Sequence, residues 1–197
     1  MKVVLATKNA GKAMEIGRML EGSGVEIISL EGFPEVELPP ETGKTMKENA
    51  LLKARAAAGA TGLPALADDS GLEVDFLGGA PGVYSARYSG EKATDEENWK
   101  KLLRELEGVP AEKRAARFRC AIALVGFDAE EHLFEGVFEG LIAEAPRGTG
   151  GFGYDPVFFV PEAGRTAAEL APDEKNRISH RARAIDVLKA FLSSRKD

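Results

Sequence analysis

Two apolar runs, Phe118 to Val125 and Leu133 to Ile142, stand either side of the polar spacer Gly126-Phe127-Asp128-Ala129-Glu130-Glu131-His132. So short a spacer suits an antiparallel pair, since a parallel crossover needs about a dozen residues or more. Elsewhere strands alternate with helices. Val3 to Ala6 is a short apolar run, followed by Ala13, Ile16, Met19 and Leu20 at helical spacing that ends at Gly22. Met46, Ala50, Ala54 and Ala57 predict a second helix closed by Gly59 and Gly62, after which Leu63 to Ala67 reads as a short buried strand ending at Asp68-Asp69-Ser70-Gly71. Residues 78 to 90 lack periodicity and read as a loop, and Thr94 with Glu97 makes a capping box for a helix whose inner face is Trp99, Leu102, Leu103 and Leu106. Val157 to Val160 is a further strand, and Ile178, Ala182, Ile185, Leu188 and Leu192 predict a C-terminal helix. Helices mixed with a hairpin predict an α/β or α+β fold with a mixed sheet, not a purely parallel one.

A chain of 197 residues, 44% of them hydrophobic, is long enough for a real core and predicts one domain, with two lobes as a variant. A net charge of −6 argues against a duplex nucleic-acid partner, so any polyanionic ligand must be met locally. The single cysteine, Cys120, opens an apolar run, which predicts a core position and a reducing compartment. The apolar start is too short for a signal peptide, and no run reaches membrane-spanning length. These features together predict a cytoplasmic protein.

Four segments carry candidate chemistry. Thr7-Lys8-Asn9-Ala10-Gly11-Lys12 lies between a strand and a helix, with Asn9 as cap, where backbone N–H groups and the helix dipole favour an anion such as phosphate. It is not a Walker loop, because Ala6 stands where the first glycine is required and Ala13 follows Lys12. Asp68-Asp69 is the strongest acidic signal, with Glu41 as a third carboxylate, and hard oxygen ligands suit Mg²⁺. Gly148-Thr149-Gly150-Gly151-Phe152-Gly153 matches a dinucleotide fingerprint by letter only, since it leads into Tyr154-Asp155-Pro156 and a strand instead of a helix. What survives is a glycine loop presenting Phe152, Tyr154 and Asp155, suited to stacking a base and bonding its edge. Lys175, Ser179, His180 and Arg181 form a donor-rich cluster at a helix start, while His132 reads as exposed. Taken singly, each segment keeps a plain alternative: an ordinary turn, surface acids, core aromatics or a solvated basic helix end.

Taken together, Thr7 to Lys12, Glu41-Thr42-Gly43, Glu48-Asn49-Ala50 with Lys53-Ala54, Ala67 to Gly71, Gly148 to Pro156 and Ser179-His180-Arg181 resemble the inosine triphosphate pyrophosphatase family, in the family's order from about residue 3 to about residue 190. The resemblance implies an α/β fold with an elongated mixed sheet flanked by helices, two lobes with a nucleotide cleft between them, a homodimer and Mg²⁺ dependence. It implies that Thr7, Lys8, Asn9, Ala10, Gly11, Lys12 and Lys53 hold the triphosphate. On the same resemblance Glu41 and Asp69 would bind the metal, Asp69 would also be the base, and Ser70 would line the same site. Phe152 and Gly153 lie at the base, with Tyr154, Asp155, Lys175, Ser179, His180 and Arg181 around its edge. Lys8 departs from the family, where many members have glycine, and Lys44 receives no role. The implied reaction is hydrolysis of ITP, dITP or XTP to the monophosphate and pyrophosphate. Rival readings are a pyrophosphatase of ordinary or modified triphosphates such as dTTP, and a non-catalytic nucleotide-binding module.

Overall fold

The N-terminal apolar run forms β1 (Lys2–Leu5), and Asn9 starts α1 (Ala10–Leu20) by accepting a hydrogen bond from the Lys12 N–H, the cap expected from the sequence. The computed structural model describes residues 1–195, so the last two residues lie outside the described part. The remaining elements are β2 (Glu26–Ser29), α2 (Met46–Thr61), β3 (Ala65–Val74), α3 (Asp95–Glu105), β4 (Ala115–Val125), β5 (His132–Ile142), β6 (Phe158–Val160), β7 (Arg165–Thr166), α4 (Pro172–Ile178) and α5 (His180–Ser193). They form an α/β fold with one seven-stranded sheet in the order β2-β1-β3-β4-β5-β6-β7. β1 runs parallel to β2 and β3, whereas β5–β6 and β6–β7 are antiparallel, so the sheet is mixed. β4 and β5 are neighbours joined by residues 126–131, a link short enough only for antiparallel strands.

Two expectations change. The strand expected to stop at Ala67 continues to Val74, so Asp68, Asp69 and Ser70 lie within a strand and not at its exposed end. The single C-terminal helix is two: Ser179 is extended, with φ −67° and ψ 161°, and separates α4 from α5. β2 and β7 are too short to have shown a period. The capping box of Thr94 and Glu97 is present, Cys120 is buried, and Trp99 is partly buried against the core. Among the described residues no helix is long and apolar enough to cross a membrane.

The chain divides into two compact units. The first comprises Met1–Asp69, Cys120–Gly136 and the chain from His180 on, with a core of Val3, Leu5, Ile16, Leu20, Leu66, Ile122, Leu124, Ile185 and Leu188. The second comprises Ser70–Arg119 and Val137–Ser179, and its core holds Leu72, Val74, Leu102, Leu106 and a group of rings in which Phe158 stands 4.5 Å from Phe118 and 5.3 Å from Phe138.

In the first unit β5 and the start of α5 approach backbone to backbone at Gly136. A Cβ there would stand 2.0 Å from the His180 carbonyl oxygen and 2.6 Å from the Ala184 nitrogen. Neither atom can swing aside as a side-chain tip can. Gly136→Ala is therefore expected to destabilise the protein by about 1–3 kcal/mol, the usual cost of overpacking, read as a lower urea midpoint with an unchanged slope.

Candidate active site

The pleat of β3 organises the acidic residues. Successive side chains of a strand leave on opposite faces, so Asp68 shares a face with Leu66 while Asp69 shares one with Ala67. Leu66 packs in the core that α1 and α5 cover, and Asp68 accordingly meets a residue from each of those helices. Lys12 Nζ lies 2.9 Å from Asp68 Oδ2, and Arg181 Nη2 lies 3.4 Å from the same oxygen. Arg181 also bonds Glu15 of α1. Burial alone would raise the Asp68 carboxyl, but Lys12, Arg181 and Lys53 outweigh it and hold the group far below the ordinary carboxylate range.

Asp69 faces the first turns of α2. Asn49 Nδ2 donates to Asp69 Oδ2 at 3.1 Å, and Lys53 Nζ reaches Asp69 Oδ1 at 3.3 Å and Glu41 Oε1 at 2.7 Å. Burial and the neighbouring Glu41 raise the Asp69 carboxyl, with Lys53 opposing them. Glu41 moves the other way: burial would raise it, but Lys53 and Lys12 bring it below its usual value. Burial would lower the Lys53 ammonium, yet Asp69, Asp68 and Glu41 keep it raised and charged. The two adjacent aspartates thus differ in kind. One is ionised and clamped between cations; the other shares Lys53 with a second carboxylate.

The turn between β1 and α1 is held by its own side chains. Thr7 Oγ1 accepts from Asn9 N at 3.2 Å, and Asn9 Oδ1 accepts from Lys12 N at 3.0 Å. The first-turn amides of Ala10 and Gly11 have no carbonyl one turn back, and Lys8 is exposed beside them. An ammonium has three donors, so the Asp68 contact leaves Lys12 able to meet a further oxygen.

In the second unit Asp155, Lys175 and Phe152 come together. Lys175 Nζ lies 2.5 Å from Asp155 Oδ2 and 4.8 Å from the centre of the Phe152 ring, and Asp155 also accepts the Phe152 N–H at 3.0 Å. Gly151 makes this possible, because its φ of +72° is left-handed and a Cβ there would stand 2.0 Å from Asp155 Oδ2. Gly153 donates its N–H to Asp95 at 2.7 Å. The Tyr154 ring is in the core and its hydroxyl donates to the Ser85 carbonyl at 2.8 Å. Ser70 is half buried on β3. Lys175, Ser179, His180 and Arg181 are all buried, which removes the solvated-helix-end alternative, and Arg181 joins Asp68 and Glu15. Asp68, Glu15 and Asn49 received no individual role from the sequence. Asn49 and Lys53 carried a signal, polar residues four apart among the alanines of the buried α2 face.

Fold and clusters together define an α/β protein with a mixed sheet and a buried acidic pair met by lysines. The chain belongs to the Ham1 family, whose model matches residues 3–191. It is 57% identical over 191 residues to a dITP/XTP pyrophosphatase of Geobacter sulfurreducens, covering 97% of this chain and 96% of that one. A dITP/XTP pyrophosphatase of Escherichia coli O157:H7 is 54% identical over 189 residues, covering 95% of each. Among solved structures, a HAM1 protein from Coxiella burnetii superposes with a TM-score of 0.90 at 48% identity, covering 98% of this chain and 99% of that one. A nucleoside-triphosphatase / dITP/XTP pyrophosphatase from Mycobacterium abscessus gives 0.77 at 49% identity, over 95% and 98%.

Asp68→Asn breaks a buried ion-pair network and is expected to cost about 3 kcal/mol of stability at pH 7. Because the folded carboxyl is depressed, its contribution is present above the unfolded value near pH 4 and is lost as pH falls through the folded one. The gap between wild type and variant in urea unfolding should therefore narrow progressively below about pH 4.

Proposed function

We propose that this chain hydrolyses the deaminated purine nucleoside triphosphates ITP, dITP and XTP at the α–β phosphoanhydride, releasing the monophosphate and pyrophosphate. The observation that carries this reading is the Lys175–Asp155 pair beside the Phe152 ring, a donor next to an acceptor along an aromatic face. Hypoxanthine and xanthine present an oxygen acceptor at C6 next to an N1–H donor, which matches a lysine beside a carboxylate. Adenine presents an amino donor next to a bare nitrogen, which opposes donor to donor and acceptor to acceptor. A site built on such bonds discriminates by roughly 10⁴-fold. The names carried by relatives at 53–57% identity support the same substrate class.

In this reading the turn Thr7 to Lys12 receives phosphate oxygens through its amides and Lys12, and Lys53 adds a second ammonium. Asp69 takes the proton of the attacking water, a task helped by burial and Glu41 raising its carboxyl. Phe152 stacks on the base, and Arg181, held by Asp68, fixes the start of α5 beside Lys12. Mg²⁺ fits the donor set: Glu41 and Asp69 are two hard carboxylates set against one ammonium, and Mg²⁺ commonly meets protein through one or two carboxylates plus phosphate and water. When bound there, the ion supplies positive charge against that developing on the phosphate oxygens. A homodimeric working form, a cytoplasmic setting and the lack of a nucleic-acid partner complete the reading, on the family resemblance and the net charge of −6.

Pyrophosphate release from ITP, XTP, GTP, dTTP and ATP tests it, with Mg²⁺ and with EDTA. ITP and XTP should be cleaved at least a hundredfold faster than ATP, a margin well within the roughly 10⁴-fold such a site allows, and EDTA should stop the reaction. Equal rates on all five would overturn the base assignment, and no pyrophosphate from any would leave a binding module.

A further inference from the structure

The residue that holds Asp69 in place is Asn49, fully buried in the first turns of α2. Its side-chain Oδ1 accepts the Gly43 N–H at 2.7 Å, and its Nδ2 donates to Asp69 Oδ2 at 3.1 Å. Chemistry fixes this orientation, because a backbone N–H only donates and a carboxylate only accepts, so the amide cannot be flipped without losing both bonds. We propose that Asn49 is a positioning residue that pins Asp69 by Oδ2, turns Oδ1 toward Lys53, and ties the loop carrying Glu41 to the same carboxylate.

Three facts carry the inference. Gly43 lies two residues after Glu41, so one amide registers both acidic groups against each other. The fit is close on the loop side, where a Cβ on Gly43 would stand 2.6 Å from Asn49 Oδ1 and 2.7 Å from Glu48 Cβ. The loop is anchored again by Glu48, which accepts the Lys44 N–H at 2.6 Å while its own N–H is capped by Thr45. A serine or alanine at 49 would be too short to hold a carboxylate and a backbone N–H at once.

The inference rests on the proposed hydrolysis, and two variants test it. Asn49→Asp keeps the shape and the acceptor for Gly43 but cannot donate to Asp69 as a carboxylate. Gly43→Ala disturbs the same contact from the loop side without touching Asp69. Both are measured for kcat and KM on ITP, for ITP affinity by calorimetry, and for urea midpoint. Misplacing a reacting group by about 1 Å costs roughly a hundredfold, so Asn49→Asp should lose about that much in kcat, with KM and affinity within about threefold of wild type. Gly43→Ala should shift kcat in the same direction. A kcat retained within threefold by both variants, or kcat, affinity and midpoint falling together, would overturn the role. If Asn49→Asp does not fold, Gly43→Ala decides by the same criteria. A crystal structure of the variant that folds separates this inference from the substrate assignment. A turned Asp69 carboxylate supports it even if the wild type proves inert on ITP, and an unmoved one refutes it.

Discussion

Two adjacent carboxylates cannot share one small space in a protein interior without a heavy electrostatic cost, and the pleat of β3 removes the conflict by sending Asp68 and Asp69 to opposite faces. Much of the first unit is arranged around that separation. The face with Leu66 receives α1 and α5, which bring Lys12 and Arg181 to Asp68. The other face receives α2, whose buried side is largely alanine, so that the helix lies close and Asn49 and Lys53 reach Asp69.

The consequence is a division of labour between neighbours in sequence. Asp68 links elements: Lys12 and Arg181 pair with it and Lys53 adds to the compensation, so its position ties the start of α1 to the start of α5. Asp69 has less compensation, a raised carboxyl and a second acid beside it, which suits a group that must accept a proton or a hard cation. The second unit solves a different problem, holding Lys175 and Asp155 as a buried pair beside Phe152, with Gly151 leaving room for the carboxylate.

Local features were legible in the sequence. The Asn9 cap, the Thr94–Glu97 capping box, the buried Cys120 and the mixed character of the sheet follow from residues within a turn or two, or from the length of one connection. The burial of Asp68 and Asp69 was not, because a run of polar residues reads as a strand end until its partners are known. One of those partners, Arg181, lies 113 residues away. The break at Ser179 hid for a similar reason, since the apolar spacing continues across it while the backbone does not. Arg181 and Tyr154 show what a motif does not carry: that Arg181 is bound to Asp68 and Glu15, and that the Tyr154 ring lies in the core. Asn49 was within reach as a polar residue on a buried helix face, but a hydrogen bond to a strand 20 residues on is a tertiary fact.

The most direct test of this division is Asp69→Asn, a change that keeps size but removes the charge and turns one of the two acceptor oxygens into a donor. ITP binding by calorimetry and pyrophosphate release are measured on the same preparation. The account predicts a variant that folds, binds ITP within a few-fold of wild type and releases pyrophosphate at least a hundredfold more slowly, the range expected for loss of a general base. Turnover at the wild-type rate would contradict it, and would move the chemistry away from β3.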